Sequence, residues 1–371
     1  MPLRIKTISR RKILGGLGAA GLGAAGLGRR ARAQSGGCRD GYGQPKCPLP
    51  LAEATKAIPE IFAATGWKTL GLEQVTMDVA DYRKEAAFYA ALLGWTLRED
   101  DGSRAIMDTG DIGSCIFRAA PAESFAAGSP RAAIRSFGWV IDRWDARTVE
   151  AALKARGMAP VADNKGAFQS FWVKDPDGWP LQICNAHGLF AARRKPARAK
   201  PLAPPFAPTG WKTVWFDHIS YKGNNYKRSA SFYANLLGWE RAFDEGTQVE
   251  MLAGDAGDVL IRGPNPFFPK QPPAEPPAID HISYGIAPWD VEKVREALEL
   301  RGLHAATDTA TAHIGPDNQK MADDIYQAAY QSYHTDTPAG FSLQISWVTR
   351  DKRLVGANAD KPKALRKYPA P

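Results

Sequence analysis

Apolar and polar residues alternate along Asp217-His218-Ile219-Ser220-Tyr221 and again along His281-Ile282-Ser283-Tyr284, the period of a strand with one buried face. Between residues 226 and 237 the period changes. Phe232 and Leu236 recur four apart, which predicts a helix, and Gly238 supplies its C-terminal stop. Three short strands are expected next, ending near Val259-Leu260-Ile261. The pattern restarts at His281, followed by a helix running from an Asp290 cap through Val294 and Leu298 to Gly302, and it closes on Phe341-Ser342-Leu343-Gln344-Ile345. Each half is therefore a βαβββ unit. Pro-rich connectors at 201–208 and 263–278 separate the pieces.

The same pattern occurs earlier in the chain, and it repeats at the level of residues. Thr65-Gly66-Trp67-Lys68-Thr69 returns as Thr209-Gly210-Trp211-Lys212-Thr213, an offset of 144. Phe88-Tyr89 returns as Phe232-Tyr233, and Leu92-Leu93-Gly94-Trp95 as Leu236-Leu237-Gly238-Trp239. Trp144-Asp145, Arg156-Gly157 and Leu181-Gln182-Ile183 match Trp289-Asp290, Arg301-Gly302 and Leu343-Gln344-Ile345 in the same order. The chain contains a duplication. The expected fold is α+β: two tandem domains, each of paired βαβββ units that form a curled, mostly antiparallel sheet with outer helices. The expected boundaries are 65–188 and 209–348, with an extension at 34–64, a basic Pro-rich linker at 189–208 and a basic tail at 349–371.

Residues 1–33 read as a twin-arginine signal peptide. Ser9-Arg10-Arg11-Lys12 precedes a weakly apolar Gly/Ala/Leu stretch, and Ala31-Arg32-Ala33 has the small-x-small cleavage pattern. This segment holds eight Arg and Lys residues and no acid, so removing it takes the net charge from +9 to about +1. The basic balance is then no argument for nucleic-acid binding. The expected location is periplasmic or otherwise extracytoplasmic, the expected partner is the twin-arginine export machinery, and no stable membrane span is expected after cleavage. An oxidising compartment would let Cys38 and Cys47 pair, whereas Cys115 and Cys184 lie in apolar strand-like runs and read as core residues.

A strand, a helix ending in Phe-Tyr-x-x-Leu-Leu-Gly-Trp and a last strand announced by Asp175-Pro176-Asp177-Gly178 resemble the vicinal oxygen chelate superfamily of glyoxalase I, bleomycin-resistance proteins and extradiol dioxygenases. The resemblance covers about residues 66–186 and 210–348. It implies the fold. It leaves the activity open, because such folds host enzymes and plain binding proteins alike.

Alternation alone puts His218 and Ser220 on one strand face, His281 and Ser283 on another, and Ser342, Gln344 and Ser346 on a third. If the sheet curls, these polar sides converge. The resemblance to extradiol dioxygenases implies metal ligands at His218, His281 and Gln344, with Gln344 standing where those enzymes carry Glu. The departure weakens the set, because Gln offers a neutral carbonyl oxygen where a carboxylate would offset charge. His334 stands where those enzymes carry a substrate-contacting Tyr, and is a candidate acid or base or a replacement ligand. In the first copy Gln74 and Ser136 replace the two histidines, so the site is expected in the second copy only. Glyoxalase I also has a Glu on the fourth strand of a half; here that strand, starting at Asp258, has none. His304 and His313 are expected to be solvated, and His187 has no evident partner. Gly302 to Gln344 spans 42 positions against 25 from Gly157 to Gln182, an insertion that reads equally as a lid or a surface loop. Of Tyr326, Tyr330 and Tyr333, two are expected to be packing residues.

The reading is an extracytoplasmic metal-dependent enzyme acting on a small vicinal-oxygen substrate. Fe(II) is the first expectation for the divalent metal, with Mn, Zn or Ni as alternatives, and ring-cleaving dioxygenation of a catechol-like compound is the specific version. The alternatives are a metal-free small-molecule-binding protein of the same fold and a metal-dependent isomerase or lyase.

Overall fold

The computed structural model describes residues 60–110, 112–126, 129–187, 200–244, 248–254, 256–263, 277–308 and 332–346. The proposed signal peptide, Cys38, Cys47, His313, Tyr326 and Tyr330 lie outside the described residues, as does most of the 302–344 insertion.

The first copy runs β1 (Thr69–Val79), α1 (Tyr82–Leu93), β2 (Thr96–Asp100), β3 (Arg104–Asp108), β4 (Ser114–Ala119), then β5 (Ala132–Ile141), α2 (Ala146–Ala155), β6 (Val161–Ala162), β7 (Ser170–Lys174) and β8 (Pro180–Cys184). The second copy repeats it with β9 (Lys212–Lys222), α3 (Tyr226–Leu237), β10 (Glu240–Asp244), β11 (Gln248–Leu252), β12 (Asp258–Arg262), then β13 (Ala278–Ala287), α4 (Val291–Glu299), β14 (Ala306–Asp308), β15 (Ser332–Asp336) and β16 (Ser342–Ser346). The two sheets have eight strands each, in the orders β2-β3-β4-β1-β5-β8-β7-β6 and β10-β11-β12-β9-β13-β16-β15-β14. In each sheet the first and fourth strands of a half pair in parallel, and the remaining neighbours are antiparallel. The α+β expectation and the duplication hold.

The helices form where local chemistry asks for them. Asp81, Asp145, Asn225 and Asp290 cap the four N-termini by accepting a hydrogen bond from the amide three residues on. Gly94 and Gly238 end α1 and α3 in the left-handed conformation, with φ of 71° and 69°. Helix α4 stops at Glu299, short of the expected Gly302, because Leu300 closes the last turn and the left-handed Gly302 lies beyond it. Cys115 and Cys184 are buried free thiols, as expected.

The strongest repeats of the sequence meet each other in space. Thr65 Oγ1 donates to Leu236 O at 2.7 Å, and Thr209 Oγ1 donates to Leu92 O at 2.7 Å. Trp95 Nε1 donates to Thr213 Oγ1 at 2.8 Å, and Trp239 Nε1 donates to Thr69 Oγ1 at 2.9 Å. Each copy's Thr-Gly-Trp-Lys-Thr segment thus caps the helix end of the other. A Cβ on Gly94 would collide with the Trp211 carbonyl, and one on Gly238 with the Trp67 carbonyl. The turn at 175–178 docks the same way: the Tyr221 hydroxyl sits 2.9 Å from Asp175 Oδ2 and 2.5 Å from Asp177 Oδ2, and Tyr233 donates to Asp175 Oδ2 at 2.9 Å.

Candidate metal centre

The three strands expected to carry ligands, β9, β13 and β16, are consecutive at the centre of the second sheet. Register places His218 beside Ser283, and Ser283 beside Gln344; His281 is paired with Ser220 and with Ser342. Side chains at paired positions point to the same face. The apolar residues between them, Ile219, Tyr221, Ile282, Leu343 and Ile345, are buried in the core on the other side. His218, Ser283 and Gln344 are fully buried, and His281 nearly so.

The two histidines meet. His218 Nε2 lies 3.0 Å from His281 Nε2, with the rings edge to face. Behind each ring stands a carboxylate: His218 Nδ1 is 3.0 Å from Asp217 Oδ2, and His281 Nδ1 is 3.2 Å from Asp280 Oδ2. Burial pushes the His281 imidazole down to about 3, with the positive potential of His218, Arg262 and His334 adding to the effect and the hydrogen bond to Asp280 opposing it. His281 is therefore neutral across the physiological range. Burial acts to raise the Asp280 carboxyl, but the hydrogen bond from His281, the positive charge nearby and Lys222 outweigh it and hold Asp280 below the usual carboxylate range. Lys222 Nζ is 3.0 Å from Asp280 Oδ1, so the anion stands beside a fixed cation.

Gln344 Nε2 donates to Ser332 Oγ at 2.8 Å, which fixes the amide orientation. His334 is paired with Gln344 across β15 and β16. Its ring is 5.0 Å from that of His281, edge to face, and its Nδ1 is 3.2 Å from Ser342 Oγ. The structure thus brings together all four candidate residues: His218, His281, Gln344 and His334.

A divalent metal fits the two nitrogens. Imidazole–metal bonds of about 2.1 Å set at about 90° put two nitrogens about 3 Å apart, the separation found here, and each ligating imidazole is ordinarily backed by an acceptor on its other nitrogen. The donor set is nonetheless incomplete by ordinary ligands. Among the described residues no group of three His, Cys, Asp or Glu side chains is arranged to hold a metal ion.

Three acids near the site were not assigned a role from the sequence. Asp217 and Asp280 are the carboxylates behind the histidines; the pentapeptide Asp-His-Ile-Ser-Tyr occurs at both 217–221 and 280–284, a signal that could have pointed to them. Asp258 begins its strand, but it is paired with His218 across β12 and β9 and is fully buried, so its place at the strand start does not remove it from the face. Tyr333 is a packing residue, stacked beside Trp289 with its hydroxyl donating to Val291 O. His304 and His187 are exposed.

The first copy fills the same place differently. Thr76 Oγ1 donates to Gln74 Oε1, Gln74 Nε2 to Gln182 Oε1, and Gln182 Nε2 to Ser170 Oγ, at 2.6, 3.2 and 2.9 Å. These four side chains hydrogen-bond in a row.

Residues 74–184, the strands of the first copy, match the model of the Glyoxalase-like domain. The chain is 28% identical over 133 residues to the glutathione transferase FosA of Serratia marcescens, a match covering 36% of this chain and 91% of that protein. Among solved structures it is similar to the Mn(II)-bound glyoxalase from Novosphingobium aromaticivorans, at 18% identity and a TM-score of 0.54, covering 79% of this chain and 85% of the other. It is also similar to the 2,3-dioxygenase LapB from Pseudomonas sp. KL28, at 15% identity and a TM-score of 0.52, covering 76% and 92%. The fold is that of the glyoxalases and 2,3-dioxygenases. Together these likenesses support the vicinal oxygen chelate superfamily for a chain whose family-model match lies on the copy that has Gln74 and Ser136 in place of His218 and His281. No helix among the described residues is long and apolar enough to cross a membrane.

Proposed function

We propose that this protein is a divalent-metal-dependent enzyme acting on a small molecule with two neighbouring oxygens, with the metal held by His218, His281 and Gln344. The observation that carries the reading is the approach of the two Nε2 atoms to 3.0 Å, each ring backed by a carboxylate. A metal bound here supplies Lewis acidity toward paired substrate oxygens and, as Fe(II), the means to activate O₂. The chain's own residues do the rest. His281 stays neutral, and His218 and His281 together orient the site. Ser332 holds the Gln344 amide. His334, anchored at Nδ1 by Ser342, exchanges a substrate proton at Nε2. The buried floor of the site excludes water from the ligand nitrogens.

Ring-cleaving dioxygenation of a catechol-like compound is the version placed first, in keeping with the fold shared with the 2,3-dioxygenases. A second version, Lewis-acid chemistry without O₂, is favoured by Gln344: a neutral third donor leaves the charge of the metal less offset, which suits polarising a substrate more than cycling a redox metal. The likeness to FosA and to a Mn(II)-bound glyoxalase points the same way. Elemental analysis of the purified full chain beside a His218→Ala/His281→Ala double variant tests the common claim. About one metal per chain, lost in the variant, is expected; no metal after anaerobic Fe(II) loading would sink it. Oxygen uptake with a catechol panel then separates the two versions.

We also propose export by the twin-arginine route, resting on Arg10-Arg11 and the Ala31-Arg32-Ala33 pattern. Replacing Arg10 and Arg11 by Lys is expected to keep the chain in the cytoplasm, and an unchanged extracytoplasmic yield would remove the proposal.

A further inference from the structure

In a regular strand, consecutive side chains point to opposite faces, so an Asp preceding a His could not reach its ring. Here both pairs make that contact, and the backbone explains how. Between β9 and β13, Ser283 pairs with His218 and Tyr284 with Phe216, which leaves Asp217 as an extra residue on β9. Ile279 pairs with Tyr221 and His281 with Ser220, which leaves Asp280 as an extra residue on β13. Each aspartate is the inserted residue of a β-bulge, the device that re-aims a side chain within a sheet.

The bulges belong to the fold, whereas the aspartates belong to the second copy. Between β1 and β5 the register shifts at the equivalent places, leaving Glu73 and Arg135 as the extra residues before Gln74 and Ser136. Arg135 there turns to Asp78 at 3.0 Å. The same two kinks thus carry Asp only where a histidine follows.

Both aspartates are themselves held. Asp217 is fully buried and its Oδ2 also accepts from Ser283 Oγ at 2.9 Å, from the strand that carries the other histidine. Asp280 is pinned by Lys222 and by Arg262, whose Nη1 is 3.4 Å from Oδ2. Asp217 Oδ2 already accepts from Ser283, and Asp280 Oδ2 faces the Arg262 guanidinium, so each of these oxygens acts as an acceptor and the ring nitrogen facing it is the donor.

We propose that Asp217 and Asp280 are positioning residues: from two β-bulges they fix the proton of His218 and of His281 on Nδ1, so that both Nε2 lone pairs are directed to one point between the strands. The metal affinity that follows from this rests on the reading given under Proposed function; the tautomers do not.

Long-range proton–nitrogen correlation spectra of the chelator-treated, ¹⁵N-histidine-labelled full chain test the proposal, with signals assigned by their loss in His218→Gln and His281→Gln. Both histidines are expected as Nδ1–H tautomers. Asp217→Asn and Asp280→Ala are each expected to shift the following histidine toward a mixture and to weaken Zn(II) binding about 10- to 100-fold, with partial recovery in Asp280→Glu. Nε2–H tautomers in the wild-type chain, or variants with unchanged tautomer and affinity, would overturn it. If Asp217→Asn fails to fold, the partly exposed Asp280 carries the test alone. Tautomers as expected with no metal bound by any form would support the positioning role and remove the metal reading.

Discussion

Gln74 Nε2 donates to Gln182 Oε1 at 3.2 Å in the first copy, at the positions that His218 and Gln344 hold in the second. The two amides complete each other, and Thr76 and Ser170 close the chain at either end. Two imidazoles cannot do this when both Nδ1 atoms carry the proton: their Nε2 atoms then face each other as two acceptors. On the tautomers proposed above, the first copy links its amides by hydrogen bonds, whereas the second would hold two acceptors that a cation could bridge. Gln74→Ala is accordingly expected to leave metal content unchanged, whereas His218→Ala is expected to abolish it. Metal analysis of both variants checks this, and equal loss in both would contradict the assignment to the second copy.

Gln344→Glu restores a carboxylate at the third position. Metal affinity is expected to rise by about tenfold or more, because an anionic oxygen offsets the charge of a divalent ion where an amide does not. Competition against a chelator of known strength measures it. Unchanged affinity would take residue 344 out of the site and leave His334 as the third donor.

His334→Ala is expected to keep the metal and lower turnover by about 10²- to 10⁴-fold, the range for a lost acid or base. Metal content and the rate constant must be read on the same preparation. A parallel loss of metal would instead make His334 a ligand.

Stability is expected to depend on pH through Glu85, which reaches from α1 to the second copy, where Ala339 N donates to Oε2 at 3.2 Å. Burial pushes this carboxyl up to about 7 from 4.5, against the lowering contacts of Thr337 and Ala339. Below the unfolded value both states are protonated and the contribution is whole. As pH rises from 4.5 to about 7 the unfolded chain ionises while the folded one resists, so stability falls by about 3 kcal/mol in all. Urea midpoints at about pH 5 and about pH 8 measure it, and Glu85→Gln should reduce the difference, leaving the part due to Glu73, which burial also pushes up to about 7. Equal slopes in both proteins would show that Glu85 does not titrate in this window.

Two glycine substitutions separate backbone strain from close packing. Gly157 has φ of 77° with open space around a Cβ, so Gly157→Ala should cost about 1 kcal/mol. Gly238 has φ of 69° and lies against the Trp67 carbonyl of the other copy, so Gly238→Ala should cost about 2 kcal/mol or more beyond that. Denaturant unfolding of the two variants compares them directly. Similar losses would mean that the two copies do not pack through this helix end.

What the sequence by itself determined was whatever depends on neighbours a few positions apart. The cap at Asp290, the glycine stop at 238, the strand alternation around His218 and His281 and the duplication are all local or periodic, and all are legible as such. The polar face that gathers His218, His281, Gln344 and His334 followed from alternation and a resemblance. Tertiary structure decided the rest. Whether Asp217 and Asp280 share a face with the histidine after them depends on a one-residue slip between β9 and β13, and alternation taken alone gives the opposite answer. Asp258 begins its strand, yet register sets it beside His218. The Thr-Gly-Trp-Lys-Thr and Leu-Leu-Gly-Trp repeats were plain in the chain, but that each caps the other's copy is a matter of how two domains pack. Sequence carries the period of each strand, whereas the offset between strands is set only when side chains 63 residues apart, such as His218 and His281, compete for the same space.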